Sequence, residues 1–384
     1  MLPCMTRKLA DVLQLLERIA PLDLAEDWDN VGLVLEPSGS AEHEVKRLFL
    51  CIDLSESVLS EAIELGADFV LAYHPPIFRG LKRLRASSAE ERVLVRALEA
   101  GLAVYSPHTA LDAAQGGVND WLARGVGAGH CTPLVPHASK AHSEFKLVVF
   151  VPRSHVAQLR SALSRELGAG SIGNYSECSY ELDGQGSFFG NDATAPAVGQ
   201  RGKLELVAET RLEMRCPSSA ARELARVIAA HHPYQEPAWD LYPLAQEAAP
   251  PRAVGAGRLL ELETPIGMSE AITRLKAHLG VSTLRVAQAG RHETGGLVQR
   301  VALCAGAGGS LLEAVRGVDL FVTGELRHHD VLAKVRAGAS VILSEHTHTE
   351  RGFLPELGQR IRELADGELE VLVSKRDADP LRTV

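Results

Sequence analysis

Four apolar stretches of this chain end in residues that can do chemistry. "FVLAYH" runs into His74, and "LAVYSPHTALD" into His108 and Asp112. "LFVTGELRHHD" ends in Glu325, His328 and His329, and "VILSEHTHTE" in His346 and Glu350. With His348, these four windows hold six of the 15 histidines, where an even spread would place roughly one or two. Any one of them alone reads as a polar residue at a solvent boundary; the coincidence of four asks for a common cause. Imidazole and carboxylate without cysteine suit zinc, manganese or iron better than an iron-sulfur centre. His346 and Glu350 are four apart, so on a helix they share a face and can point at one ion, while His348 faces away.

Something must bring these strand ends together. Strands "RLFLCI", "DFVLAYH" and "LAVYSPH" alternate with helices from Ser55 to Leu65 and from Ser88 to Ala100, stopped by Gly66 and Gly101. The rhythm returns as "RVALCAG", "DLFVTGE", "SVILSEH" and "LEVLVSK", with helices from Ser310, from Asp330 and around "ERGFLPELGQRIRELA". Such alternation implies an α/β protein with two lobes of mainly parallel sheet forming one metal-binding unit. In open parallel sheets the functional crevice lies beyond the carboxyl ends of the strands, where distant segments meet. The chain opens on a helix, "TRKLADVLQLLERIAP", with Leu9, Val12, Leu13, Leu16 and Ile19 on one face and Thr6 as the expected cap.

Between the lobes the texture changes. "KLVVFVP", a helix near "HVAQLRSALSREL", the glycine-rich "DGQGSFFGND", "KLELVAETRLEMRCP" and the helix "SSAARELARVIAAH" read as β-α-β-β-α-β, an inserted ferredoxin-like module. "VPHASKAHSE" and "AQEAAPPRAVGAG" read as its linkers. The expected domains are residues 1–140, 141–248 and 249–384.

Bulk properties narrow the class. A formal charge of -9 disfavours coating a nucleic-acid backbone. No apolar run approaches the roughly 18 residues that span a bilayer, and the start lacks a secretory pattern, so a cytoplasmic protein is expected. The six cysteines are scattered without a C-x-x-C pair and read as reduced thiols. No G-x-S-x-G nucleophile elbow occurs. "CAGAGGSLLEA" lacks the third glycine of a dinucleotide loop and the lysine of a P-loop, and reads as a tight turn. In "HHPYQEP", His231 and His232 read as a proline-bounded turn.

"WDNVGL" (28–33), "YHPPIF" (73–78), "HTALDAAQGGVNDWLA" (108–123), "TGELRHHD" (323–330) and "EHTHTERGFL" (345–354) resemble, in order, the signature blocks of the dinuclear-metal-centre Nif-three-like family, whose members are also called GTP cyclohydrolase I type 2 homologues. "HHPYQEPAWDLYPL" resembles the end of the PII-like insert of longer members, and "YHPPIF" the eukaryotic-type branch. The resemblance implies a homo-hexamer with one or two divalent cations (Zn, Mn or Fe) per subunit. Asp112 and His74 would hold one ion, His346 the other, and Glu350 would bridge both. Tyr73 stands where many members have a histidine and is a weak ligand at neutral pH. Trp28 is expected to pack inside, with Asp29 or Asn30 closing a turn near the cavity. The implied activity is hydrolytic attack of metal-activated water on the C8 carbon of the guanine of GTP. His108, His328 or His329 would move protons, histidine being the side chain that changes charge nearest neutral pH, and Glu325 would orient one of them. The alternatives are a metal-holding scaffold whose insert binds protein partners, and a two-metal phosphoester hydrolase.

Overall fold

The computed structural model describes residues 6–39, 43–137, 144–173, 175–244 and 253–381. The chain forms two compact units, Met1–His137 with Pro251–Val384, and Ala138–Pro250. It is a mixed α/β protein. No helix among the described residues is long and apolar enough to cross a membrane.

The first unit holds two sheets. One has the strand order Glu370–Val373, Arg47–Cys51, Phe69–Ala72, Ala103–Ser106, Gly32–Leu35. Its first three pairings are parallel and its last is antiparallel. The other runs Arg285–Ala287, Ser340–Leu343, Leu320–Glu325, Val298–Ala307, Arg258–Ile266, Gly129–Thr132. Here only the two central pairings are parallel, so this sheet is mixed where a mainly parallel one is expected.

Each sheet borrows an edge strand from the other half of the chain. Glu370–Val373 lies parallel to Arg47–Cys51, and Gly129–Thr132 lies antiparallel to Arg258–Ile266. Strand periodicity tells which face of a strand is buried but not which sheet will take it, so the expected placement of "LEVLVSK" in the second lobe is corrected here. The two sheets also share a core. Leu48, Leu50 and Leu71 of the first pack in one cluster with Val301, Leu303, Val322 and Ile342 of the second and with Phe353, Leu357 and Ile361. Strands buried on both faces read as continuous apolar runs, which is why "RLFLC" and "FVLA" show no alternation.

Ser55 and Ser88, read as the first residues of their helices, are the caps of Glu56–Glu64 and Ala89–Glu99, each accepting from an amide of the first turn. Thr6 does not cap the first helix, which runs Leu9–Ile19 with Lys8 at its cap position. The preceding Arg7–Lys8 instead pairs with Glu44–Val45, so backbone partners replace a side-chain cap.

The second unit is a four-stranded antiparallel sheet ordered Ser179–Phe189, Leu204–Pro217, Glu144–Val151, Trp239–Pro243. Helices Val156–Leu167 and Leu224–His231 complete a core that includes Leu147, Val149, Leu159, Leu163, Leu212 and Ile228. His231 lies 2.9 Å from Glu166 and His232 3.0 Å from the Phe150 carbonyl, so both are engaged locally. Residues 138–143 and 245–252 of the expected linkers lie outside the described residues.

Candidate metal centre

The five expected ligands leave three strand ends. Phe69–Ala72 passes into Tyr73 and His74; Ala103–Ser106 into helix His108–Ala113, which carries Asp112; Ser340–Leu343 into the turn bearing His346 and then helix His348–Arg351. The Thr349 amide donates to the His346 carbonyl at 3.2 Å and the Arg351 amide to that of Thr347 at 2.8 Å. These turns put His346 and Glu350 on one face, with His346 Nε2 3.3 Å from Glu350 Oε1. His74 Nε2 approaches the other oxygen, Glu350 Oε2, at 3.6 Å. His74, His346 and Glu350 form the cluster, among the described residues, whose donor atoms all lie within 4.8 Å of one another.

The fit to a cation is good. Glu350 is 3% exposed and its Oε2 is buried without a hydrogen-bond partner, a costly state that a positive ion relieves. A Cβ at Gly306, whose φ is +62°, would stand 2.8 Å from Glu350 Oε1 and 2.9 Å from His346 Nε2, so only glycine leaves the space open. Two non-glycine residues bordering the centre, His108 (φ +21°) and Glu345 (φ +68°), have left-handed backbone, a strain that persists where the surroundings impose it.

Surrounding carboxylates orient the rings. Asp53 Oδ1 lies 2.9 Å from His74 Nδ1, and Glu325 Oε1 3.2 Å from His346 Nδ1, so each Nε2 is turned towards Glu350. Burial opposes charge on His74, but the Asp53 carboxylate bonded to its Nδ1 and the nearby Glu350 carboxylate outweigh it and raise it to about 10. His346 is raised too, chiefly by its hydrogen bond to Glu350. Burial works against charge on Glu350 as well, yet the two imidazoles hold it below the usual carboxylate range. Without a cation, the two imidazoles and Glu350 therefore favour one another's charged forms.

Asp112 sits beside this cluster with its Oδ1 accepting a short hydrogen bond from the Tyr73 hydroxyl. Burial raises its carboxyl to about 6 in spite of that bond. Tyr73 is 1% exposed, and burial followed by the Asp112 charge pushes the phenol well up, so it stays a neutral donor. His108 lies with its ring centroid 5.3 Å from that of His74, and its Nδ1 is 2.8 Å from Asp29 Oδ1. Thr109 also donates to Asp29, from its amide at 3.1 Å and its hydroxyl at 2.5 Å. Thus His74, Asp112, Tyr73, His108, Glu325, His346 and Glu350 come together. His328 and His329 do not: they are exposed on the first turn of helix His328–Arg336, and their recorded ring contact is with each other, at 5.4 Å.

Sequence reasoning missed Asp53 and Asp377. Asp53 directly follows "RLFLCI", so the strand-end rule that finds His74 would have found it had it been applied to that strand. Asp377 accepts from the Ile52 amide at 2.6 Å and pairs with Arg351, and it carries no signal in the sequence. In the "CAGAGG" turn the Gly306 amide donates to Thr349 Oγ1 at 2.7 Å and the Gly308 amide to Thr323 Oγ1 at 3.1 Å, so both are engaged within the protein.

The family model described as Duf34/NIF3 (NGG1p interacting factor 3) matches residues 7–380. The chain belongs to the Duf34/NIF3 family. It is 38% identical to mouse NIF3-like protein 1 over 373 residues, 97% of this chain and 92% of that protein. It is 35% identical to the GTP cyclohydrolase 1 type 2 homolog of Halalkalibacterium halodurans over 374 residues, covering 96% and 97%. A solved Bacillus cereus protein related to NIF3 superposes with a TM-score of 0.63 at 29% identity, covering 98% of each chain. In this NIF3-family chain the motifs that carry the resemblance, "YHPPIF", "HTALD" and "EHTHTE", are also the ones whose side chains converge on the centre.

Proposed function

We propose that this NIF3-family chain is a divalent-metal-dependent hydrolase of the GTP cyclohydrolase 1 type 2 kind, opening the guanine ring of GTP at C8 with release of formate. The observation that carries the reading is the buried Glu350 carboxylate between two imidazoles, its Oε2 without a hydrogen-bond partner, on a protein whose relatives bear that name. His74, His346 and Glu350 would hold the cation, Zn, Mn or Fe, with Asp112 beside them for a second. A bound divalent cation supplies Lewis acidity, bringing the pKa of water towards neutrality. The chain's own residues do the rest. Asp53 and Glu325 keep Nε2 of His74 and His346 turned inward. Asp29 holds His108 by Nδ1, which leaves His108 Nε2 to exchange a proton with substrate. Homo-hexamer formation, a cytoplasmic location and a ferredoxin-like, PII-like character for residues 141–248 belong to the same proposal; the four antiparallel strands and two helices of that unit support the last.

The test is metal content of the purified chain together with formate release from GTP under Zn, Mn and Fe, for wild type and Glu350→Gln. Wild type is expected to turn over, and Glu350→Gln to lose both tight metal and activity. Equal activity in the two would reject the mechanism. The Tyr73–Asp112 hydrogen bond supports a second reading, a metal-holding scaffold, because it occupies a carboxylate that a second ion would use. One weakly held ion and no turnover would favour the scaffold.

A further inference from the structure

Trp28 is 61% exposed and Phe78 49% exposed, against the expectation that Trp28 packs inside. Single exposed aromatics are ordinary, but here two large rings are paired at the rim of the centre. The Trp28 ring lies 6.0 Å from Phe78 and 6.1 Å from His108; Phe78 is 6.5 Å from His108, whose ring is 5.3 Å from His74. The arrangement is held from beneath. Asp29, next to Trp28, fixes His108 and Thr109, and Asn30 Nδ2 donates to the Ile77 carbonyl at 2.5 Å, tying the loop that bears Trp28 to the loop that bears Phe78. Beyond Phe78 the chain reads "RGLKRLR", and Arg79, Lys82, Arg83 and Arg85 are all exposed. In a chain of net charge -9 that is a concentrated positive segment directly joined to an aromatic surface.

We infer that this rim recognises a planar heteroaromatic base carrying phosphates, the base stacking on Trp28 and Phe78 and the phosphates meeting the basic segment Arg79–Arg85. Base–aromatic stacking is tolerant of which base is presented, whereas exposed arginine and lysine contribute a salt-sensitive attraction to phosphate. A base on Trp28 and Phe78 also lies against His108, the group placed to exchange a proton. A free nucleoside polyphosphate suits the site better than a polynucleotide, because the net negative chain repels a long polyanion. The inference rests on the hydrolase reading for its chemistry, but binding is measured apart from turnover.

Calorimetric titration of the full chain stripped of metal, in which no turnover is expected, with GTP, guanosine, inorganic tripolyphosphate and a 12-nucleotide single-stranded DNA tests it. Trp28→Ala is expected to weaken GTP and guanosine roughly ten-fold and to leave tripolyphosphate unchanged. Trp28→Phe should restore most of the loss. The double variant Lys82→Glu, Arg83→Glu should weaken GTP and tripolyphosphate, most at low salt, and spare guanosine. Wild-type GTP affinity in all these variants would overturn the inference. So would tighter binding of the oligonucleotide than of GTP, or a Trp28→Ala protein whose sedimentation changes while its GTP affinity does not, which would assign the aromatics to contact with a second copy. GTP bound with these dependences but never hydrolysed by the metal-loaded chain would keep the inference and remove the hydrolase reading.

Discussion

At the scale of single residues, a cation at the centre would compete with protons for the same lone pairs. His74 and His346 are both raised above the ordinary histidine value of 6.5, and a ligating ring must give up the proton on the nitrogen it offers. Metal binding is therefore expected to release protons and to weaken as pH falls. Asp53 acts through His74: it fixes which nitrogen faces Glu350, and loss of such an orienting carboxylate typically weakens metal binding 10- to 100-fold. Asp53→Asn should show that loss in competition titrations at pH 7 and 8, with wild-type thermal unfolding in the metal-free state to within a few degrees. An unchanged dissociation constant would show that Asp53 does not set the ring. The candidate ligands are legible in the sequence because each lies beyond the end of an apolar strand, and the resemblance supplies their grouping. His328 and His329 obey the same rule and are exposed, since a helix that begins at a strand end can turn its first residues to solvent.

At the scale of elements, the repeated strand–helix rhythm identified the helices and most strands, but not how the sheets exchange edges. That exchange depends on side chains that have no local signal. Glu61, on helix Glu56–Glu64, is 7% exposed and accepts from Ser374 Oγ at 2.6 Å and from the Lys375 and Arg376 amides at 2.9 and 3.0 Å. It thereby clamps the segment that follows the borrowed strand Glu370–Val373, and the next residue, Asp377, accepts from the Ile52 amide. Burial opposes the charge on Glu61, yet these hydrogen bonds hold its carboxyl below the ordinary 4.5. A depressed carboxylate stabilises the fold above its unfolded pKa and loses that contribution as pH falls through the folded value. The clamp should hold at neutral pH and loosen below about 4.5. Glu61→Ala removes it at every pH, at a cost of roughly 2 to 4 kcal/mol if the three donors are only partly rehydrated. Hydrogen exchange should show residues 370–377 opening faster in this variant at pH 7, with a smaller difference from wild type at pH 4. Equal protection at pH 7 would remove Glu61 from that role.

At the scale of the whole molecule, the question is whether the centre needs the second unit. Its candidate ligands, His74, His346 and Glu350, all belong to the first unit. On the first unit's side of the junction, the His137 amide donates to the Val254 carbonyl at 2.9 Å, and Val135–Pro136 pairs with Gly255–Ala256. The chain therefore leaves and re-enters at hydrogen-bonded neighbours, a gap that a hairpin loop of about two to five residues closes. On the second unit's side, Phe145 pairs with Pro243, so its ends also lie together, around a core of its own. Segments whose ends meet and whose contacts are internal are the ones that chains tolerate losing. Replacing residues 138–253 by a short Gly-Asn-Gly loop is expected to leave a folded protein that binds Zn within about three-fold of the full chain, since no ligand or orienting carboxylate is removed. Residues 144–244 made alone should unfold cooperatively in denaturant. A deletion protein that fails to fold, or that folds but loses tight metal, would show that the centre depends on the second unit after all.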